Sequence, residues 1–150
     1  MNLSEHFTLA ELTRTAQPFP NVPNAQEIAN LTALCVNVLE PIRAHYKMPV
    51  HVNSGFRSAK VNAAVGSKPT SWHRKGCAAD IEMWGVTNAA LACWVRDNLK
   101  FAELILENYR PGIVGSGWVH VAYCAGWNVG KVKTMRLGSH GPVYSVGINV

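Results

Sequence analysis

The residues here that could do chemistry are histidines and carboxylates, and they gather in a few short stretches. Ser71-Trp72-His73-Arg74-Lys75-Gly76-Cys77-Ala78-Ala79-Asp80 sets a histidine in a polar loop, then glycine and small residues, then an aspartate entering an alternating segment. Trp118-Val119-His120-Val121-Ala122-Tyr123 places a second histidine between valines. A neutral imidazole and a carboxylate oxygen are good zinc ligands, and three such groups leave a fourth position for water. His73, Asp80 and His120 are therefore a candidate metal set. Spacing alone leaves the plainer reading open, because an exposed histidine most often binds nothing. Cys77, four residues after His73, is a weaker substitute for Asp80. A His/Cys pair at that spacing needs a helix through Gly76, and glycine disfavours one.

Strand alternation decides which side chains can meet. Residues two apart on a strand share a face. Cys77 to Trp84, Phe101 to Tyr109 and Trp118 to Tyr123 all read as strands. If Ile81, Met83, Leu104, Leu106, Val119, Val121 and Tyr123 face the core, one open face collects Asp80, Glu82, Glu103, Ile105, Glu107 and His120. A polar face can simply be solvated, but a histidine converging with several carboxylates is less easily explained that way.

The other elements must carry those strands. Thr8-Leu9-Ala10-Glu11 is a capping box opening a short helix that fades near Gln17-Pro18. Asn24 with Glu27 is a second box, followed by Ile28, Leu31, Leu34, Cys35, Val38 and Leu39 at helical spacing. This helix is expected to reach about Tyr46, and Pro41 should bend it by removing a backbone hydrogen bond. Val50 and Val52 alternate with His51 and Asn53 as a strand, and Ser54-Gly55-Phe56-Arg57 turns the chain. Gly66 to Gly76 reads as polar loop, Thr87 to Asn98 as helix, and the tail as one or two short strands. Helices first and antiparallel strands later predict an α+β fold, with helices packed on one face of a mostly antiparallel sheet.

Several of these blocks carry a family likeness. Ser71-x-His73-x-x-Gly76-x-Ala78-x-Asp80 resembles the first signature of the zinc D-Ala-D-Ala carboxypeptidase and L-Ala-D-Glu endopeptidase family, which shares its fold with the hedgehog signalling domain. Trp118-Val119-His120-Val121 resembles the second signature, which carries the third ligand. Ser54-Gly55-Phe56-Arg57-Ser58, with Val61-Asn62, resembles the block that places a substrate-facing arginine. Phe7-Thr8-Leu9-Ala10-Glu11-Leu12 and Leu39-Glu40-Pro41-Ile42-Arg43 are similar to the N-terminal part of the branch found in phage lysis proteins and cell-wall peptidases. The likeness runs in order over roughly residues 3 to 124.

The resemblance implies a Zn2+ ion on His73, Asp80 and His120, and hydrolysis of an amide bond in peptidoglycan stem peptides or cross-links by metal-activated water. It implies Arg57 as the electrophilic or substrate-gripping group, and Ser71 as a residue that bonds to substrate or orients His73. Many members carry a glutamate three residues before the last histidine, where this chain has Gly117. In the phage branch the acidic residue ends the preceding strand, which corresponds to Glu107. Glu103 and Glu82 are substitutes on the same face. Trp72 and Trp118 either line the groove or pack.

Bulk properties narrow the class. The chain has 150 residues, 48% hydrophobic and 15% charged, a composition for one globular domain rather than a disordered chain, and the resemblance makes that single domain a zinc peptidase domain. No apolar run approaches the roughly 20 residues that span a bilayer, so no stable membrane insertion is expected. The net charge of +5 favours an anionic polymer such as a cell wall. Nucleic acid is disfavoured, because the basic residues form no run longer than Arg74-Lys75 and no aromatics interleave with them. Cys35, Cys77, Cys93 and Cys124 form no CxxC pair, and reduced thiols are expected. Met1-Asn2-Leu3-Ser4-Glu5-His6 lacks the pattern of a secretory signal. The expectation is a monomer made in the cytoplasm that acts on the cell wall in the periplasm after holin-type release. A D-Ala-D-Ala carboxypeptidase and a non-catalytic, zinc-stabilised wall-binding module are the alternatives.

Overall fold

A computed structural model describes residues 1–150. Its helices pack against one mixed sheet, an α+β architecture. Five α-helices are present: α1 (Leu9–Thr13), α2 (Ala25–Leu34), α3 (Glu40–Tyr46), α4 (Ala59–Ala64) and α5 (Asn88–Asn98). Six strands are β1 (His51–Ser54), β2 (Ala78–Glu82), β3 (Glu103–Glu107), β4 (Trp118–Ala122), β5 (Lys131–Gly138) and β6 (Gly141–Val146). They lie side by side in the order β1-β2-β4-β3-β5-β6. Every neighbouring pair is antiparallel except β3 with β5, which run parallel.

Both capping boxes form. Thr8 and Glu11 exchange side-chain and backbone bonds at α1, and Asn24 and Glu27 do the same at α2. Helix α1 stops at Thr13 rather than near Gln17. Arg14 turns extended, and its guanidinium donates to the Val52 carbonyl at 3.2 Å. Pro41 does not interrupt the long helical run. A π-helical turn over Cys35–Leu39 closes with the Glu40 N–H bonded to the Cys35 carbonyl. That extra residue brings Pro41 to the first turn of α3, where its missing N–H is not needed. Helix α4, capped by Ser58, falls in a stretch whose apolar spacing did not announce a helix.

The alternation argument holds on the sheet. Ile81, Leu104, Leu106, Val119 and Val121 are fully buried against Leu31, Leu34, Val38, Leu39 and Ile42 of the long helical run and Leu91, Ala92 and Val95 of α5. Burying each such aliphatic side chain contributes about 1.5–3 kcal/mol, which pins the register of the central strands. With that face committed to the core, Asp80, Ile105 and His120 turn to the other. They line up in one row, because Asp80 pairs across β2–β4 with His120, and His120 across β3–β4 with Ile105. Parallel pairing of β3 with β5 continues the row to Lys133. No helix is long and apolar enough to cross a membrane.

Candidate metal centre

His73 sits in a 3-10 turn over Trp72–Lys75, started by Ser71, whose hydroxyl accepts from the His73 N–H at 3.3 Å. The turn ends at Gly76 with φ +70°, and a Cβ there would lie 2.5 Å from the Glu27 carbonyl oxygen. Only glycine fits that left-handed, close-packed position. The His73 Nδ1–H donates to the Gly55 carbonyl at 2.7 Å, which leaves the lone pair on Nε2.

That lone pair points at two partners. His73 Nε2 lies 3.2 Å from His120 Nδ1 and 3.3 Å from Asp80 Oδ1, and His120 Nδ1 lies 3.0 Å from Asp80 Oδ1. Ligands held 2.0–2.1 Å from a tetrahedral zinc stand about 3.3–3.4 Å apart. The triangle therefore has nearly the edge lengths zinc requires, with the donor types it prefers. All three side chains are buried, at 3%, 7% and 7% exposure for His73, Asp80 and His120. They can hold a metal ion together. Cys77 lies outside this cluster, with its thiol near the Lys75 carbonyl and burial pushing its pKa up to about 12.

Charge supports the set. Burial opposes ionisation of Asp80, but His73 and His120 outweigh it and hold the carboxyl well below the usual range. The second oxygen of Asp80 accepts from Arg57 at 3.0 Å, and the Arg57 Nε–H donates to Ser54 Oγ at 2.9 Å. Arg57 thus reaches the site, as the sequence implied, with part of its donor set committed to Asp80. Burial pushes its pKa down, while Asp80 and Glu107 push it back up.

Glu103 and Glu107 flank Ile105 on β3 and so stand on either side of His120. Burial pushes the Glu107 carboxyl above its usual range, opposed by His120 and reinforced by Asp80 and Glu103. Glu82 shares the open face but not the site: its carboxylate accepts from Asn53 at 2.9 Å, and it lies outside the cleft described below. Gly117, which replaces the glutamate of many relatives, has φ +75°, and a Cβ there would fall 2.0 Å from the Glu107 carbonyl oxygen. A side chain at that position would collide with the backbone of Glu107 itself.

These residues open onto a cleft of about 1010 Å³. Arg57, Ser71, Trp72 and Trp118 line it alongside the metal cluster, Glu103 and Glu107. Its far wall was not anticipated from sequence and comes from β5 and β6, through Lys133, Met135, Pro142 and Tyr144. The alternation in Lys131 to Leu137 marks a strand. Nothing in it says that the strand joins β3 and faces the metal cluster.

No curated protein matches the chain in a sequence comparison. A family model described as Peptidase M15 matches residues 5–122, which takes in both histidines, Asp80 and the two glutamates of β3. That span covers most of the chain, so the protein belongs to the M15 peptidase family, and with its His–Asp–His cluster it is a zinc metallopeptidase.

Proposed function

We propose that this metallopeptidase cuts within peptidoglycan, hydrolysing an amide bond of stem peptides or cross-links in the manner of a phage endolysin. The observation that carries this reading is the His73–Asp80–His120 triangle set in a large cleft with Glu107 beside it. Zinc supplies Lewis acidity, which polarises a carbonyl and makes water acidic near neutral pH. In this reading Glu107 takes a proton from the attacking water as the new C–O bond forms. It returns that proton to the leaving nitrogen as the C–N bond breaks. Its burial-raised pKa suits a group that must both accept and release a proton. Arg57 holds Asp80 in place through Oδ2 and offers its remaining N–H groups to substrate, and Ser71 fixes the turn that presents His73.

Endopeptidase action is favoured over trimming of a terminal D-alanine by the state of the cleft's cations. Arg57 has part of its donor set committed to Asp80 and Lys133 is paired with Glu103, so neither is reserved for a terminal carboxylate, and Lys68 is the remaining cation in the lining. A carboxypeptidase needs a committed clamp for a terminal carboxylate. The proposed setting is a monomeric single domain acting on the cell wall after holin-type release, and the +5 charge favours that anionic polymer.

Digestion of purified peptidoglycan with and without a chelator, read by mass spectrometry, tests the reading. Chelator-sensitive fragments from internal cleavage support it. Release of single terminal residues alone would move the activity to a carboxypeptidase. Absence of any cleavage by zinc-loaded protein would exclude peptidoglycan as substrate.

A further inference from the structure

His120 meets the metal cluster through Nδ1. A neutral imidazole that offers Nδ1 as a lone pair must carry its proton on Nε2, and something must receive that proton. The Nε2 atom is buried and makes no hydrogen bond of standard geometry. The carboxylate facing it is Glu103, whose Oε1 lies 3.4 Å away, a contact that is long for a hydrogen bond and needs only a small carboxylate rotation to close. The other oxygen of Glu103 is 3.3 Å from the Lys133 ammonium, which itself lies over the Tyr144 ring at 5.6 Å from its centre. Sheet register sets up this chain of contacts. Glu103 and Lys133 lie on neighbouring strands, and Lys133 pairs with Ile105, the residue directly opposite His120.

We propose that Glu103 is a positioning residue of the metal centre. Its carboxylate accepts from His120 Nε2–H, fixes that tautomer and aims Nδ1 at the metal, while Lys133 of β5 holds the carboxylate in place. The inference rests on the metal-centre reading, but not on which bond the enzyme cuts. It separates the two glutamates of β3, of which the resemblance puts Glu107 forward as the general base with Glu103 as a substitute. Both oxygens of Glu103 are engaged, Oε1 facing the His120 ring at 3.4 Å and Oε2 the Lys133 ammonium at 3.3 Å. A carboxylate with both oxygens turned to donors is poorly placed to take a proton from water. It also makes the β5–β6 hairpin, which lies beyond the family match over residues 5–122, part of what holds the metal.

The test measures zinc affinity by competition with a chromophoric chelator for the parent chain, Glu103→Ala, Glu103→Gln and Lys133→Met. Partners that orient a metal-bound histidine typically contribute about 10–100-fold in affinity, and Glu103→Ala should lose that much. Glu103→Gln should recover part of the loss, because its amide oxygen still accepts, and it guards against an alanine variant that fails to fold. Lys133→Met should show a smaller loss of the same sign. Long-range proton–nitrogen NMR of the zinc-loaded protein gives a second readout. His120 should appear as the Nε2–H tautomer, with that proton shifted upfield in both Glu103 variants and the His73 signals unmoved. Zinc affinity and a His120 signal unchanged in Glu103→Ala would overturn the proposal. So would loss of hydrolysis in Glu103→Gln with both retained, since Glu103 would then be the base. Because zinc affinity and the His120 signal are read without substrate, inactivity of the parent chain on peptidoglycan would sink the endolysin reading and leave this one standing.

Discussion

Two carboxylates four positions apart on β3, Glu103 and Glu107, receive opposite environments, and their chemistry should separate accordingly. Glu107→Gln should lower hydrolysis by about 10²–10⁴-fold, the usual contribution of a general base, while zinc binding stays at the parent level. Steady-state rates together with a metal titration check this, and an unchanged rate would remove Glu107 from the mechanism. His120 gives a second prediction at this scale, for the metal-free protein. Burial disfavours its charge, but Asp80 and Glu103 outweigh that and raise its pKa from 6.5 to about 9. A raised folded-state pKa means that the stabilisation is complete below about 6.5 and is lost as pH rises through about 9. Thermal melts of chelator-treated protein should therefore show Tm falling across that window. Zinc-loaded protein should lack this slope, because the metal replaces the proton on Nδ1.

Strands β2, β3 and β4 do the positioning, and their ends are set by backbone features as much as by side chains. Gly117 opens β4 where the chain crosses the Glu107 carbonyl, with no room for a Cβ. Gly117→Ala combines that collision with a left-handed φ and should destabilise the fold by at least about 1–3 kcal/mol. It should also move Glu107 relative to His120, so rate should fall even in protein that remains folded. Urea denaturation and rate measured on the same sample test both effects, and an unaltered midpoint would mean that the β3–β4 connection yields easily. The long helical run shows the opposite tolerance. Its π-helical turn absorbs Pro41 without a break, so Leu31, Leu34, Val38, Leu39 and Ile42 still reach one core.

For the whole molecule, the metal should act as a staple between the turn carrying His73 and the central strands. Zinc at about a hundred times its Kd adds about 2.7 kcal/mol of stability, so chelation should lower Tm, and restored zinc should return it. A Tm indifferent to chelator would contradict the metal centre. Net charge gives another test. The +5 of the chain attracts an anionic wall over distances that salt screens, about 10 Å at 0.1 M ionic strength. Digestion of intact wall should slow as salt rises, while turnover of a small soluble peptide should change little.

The sequence puts His73, Asp80 and His120 forward as one metal set, and they do come together. Glu107 from its strand position, and Arg57 and Ser71 from the family resemblance, are put forward beside them and line the same cleft. The capping boxes and the apolar spacing of α2 likewise fixed where the helices begin and which side they bury. That information is local: period and caps need no knowledge of the neighbouring strand. Strand order is not local. Nothing in Lys131 to Val146 says that β5 lies parallel to β3, yet that pairing alone brings Lys133 and Tyr144 to the cleft. Nor does alternation distinguish Glu82, Glu103 and Glu107, which share a face. Only the tertiary structure assigned Glu82 to Asn53 and Asn88, set Glu103 against His120 and Lys133, and left Glu107 facing the cleft. A side chain's period sets the face it occupies, but the partners it meets there depend on cross-strand register, which arises only when distant segments pack on one core.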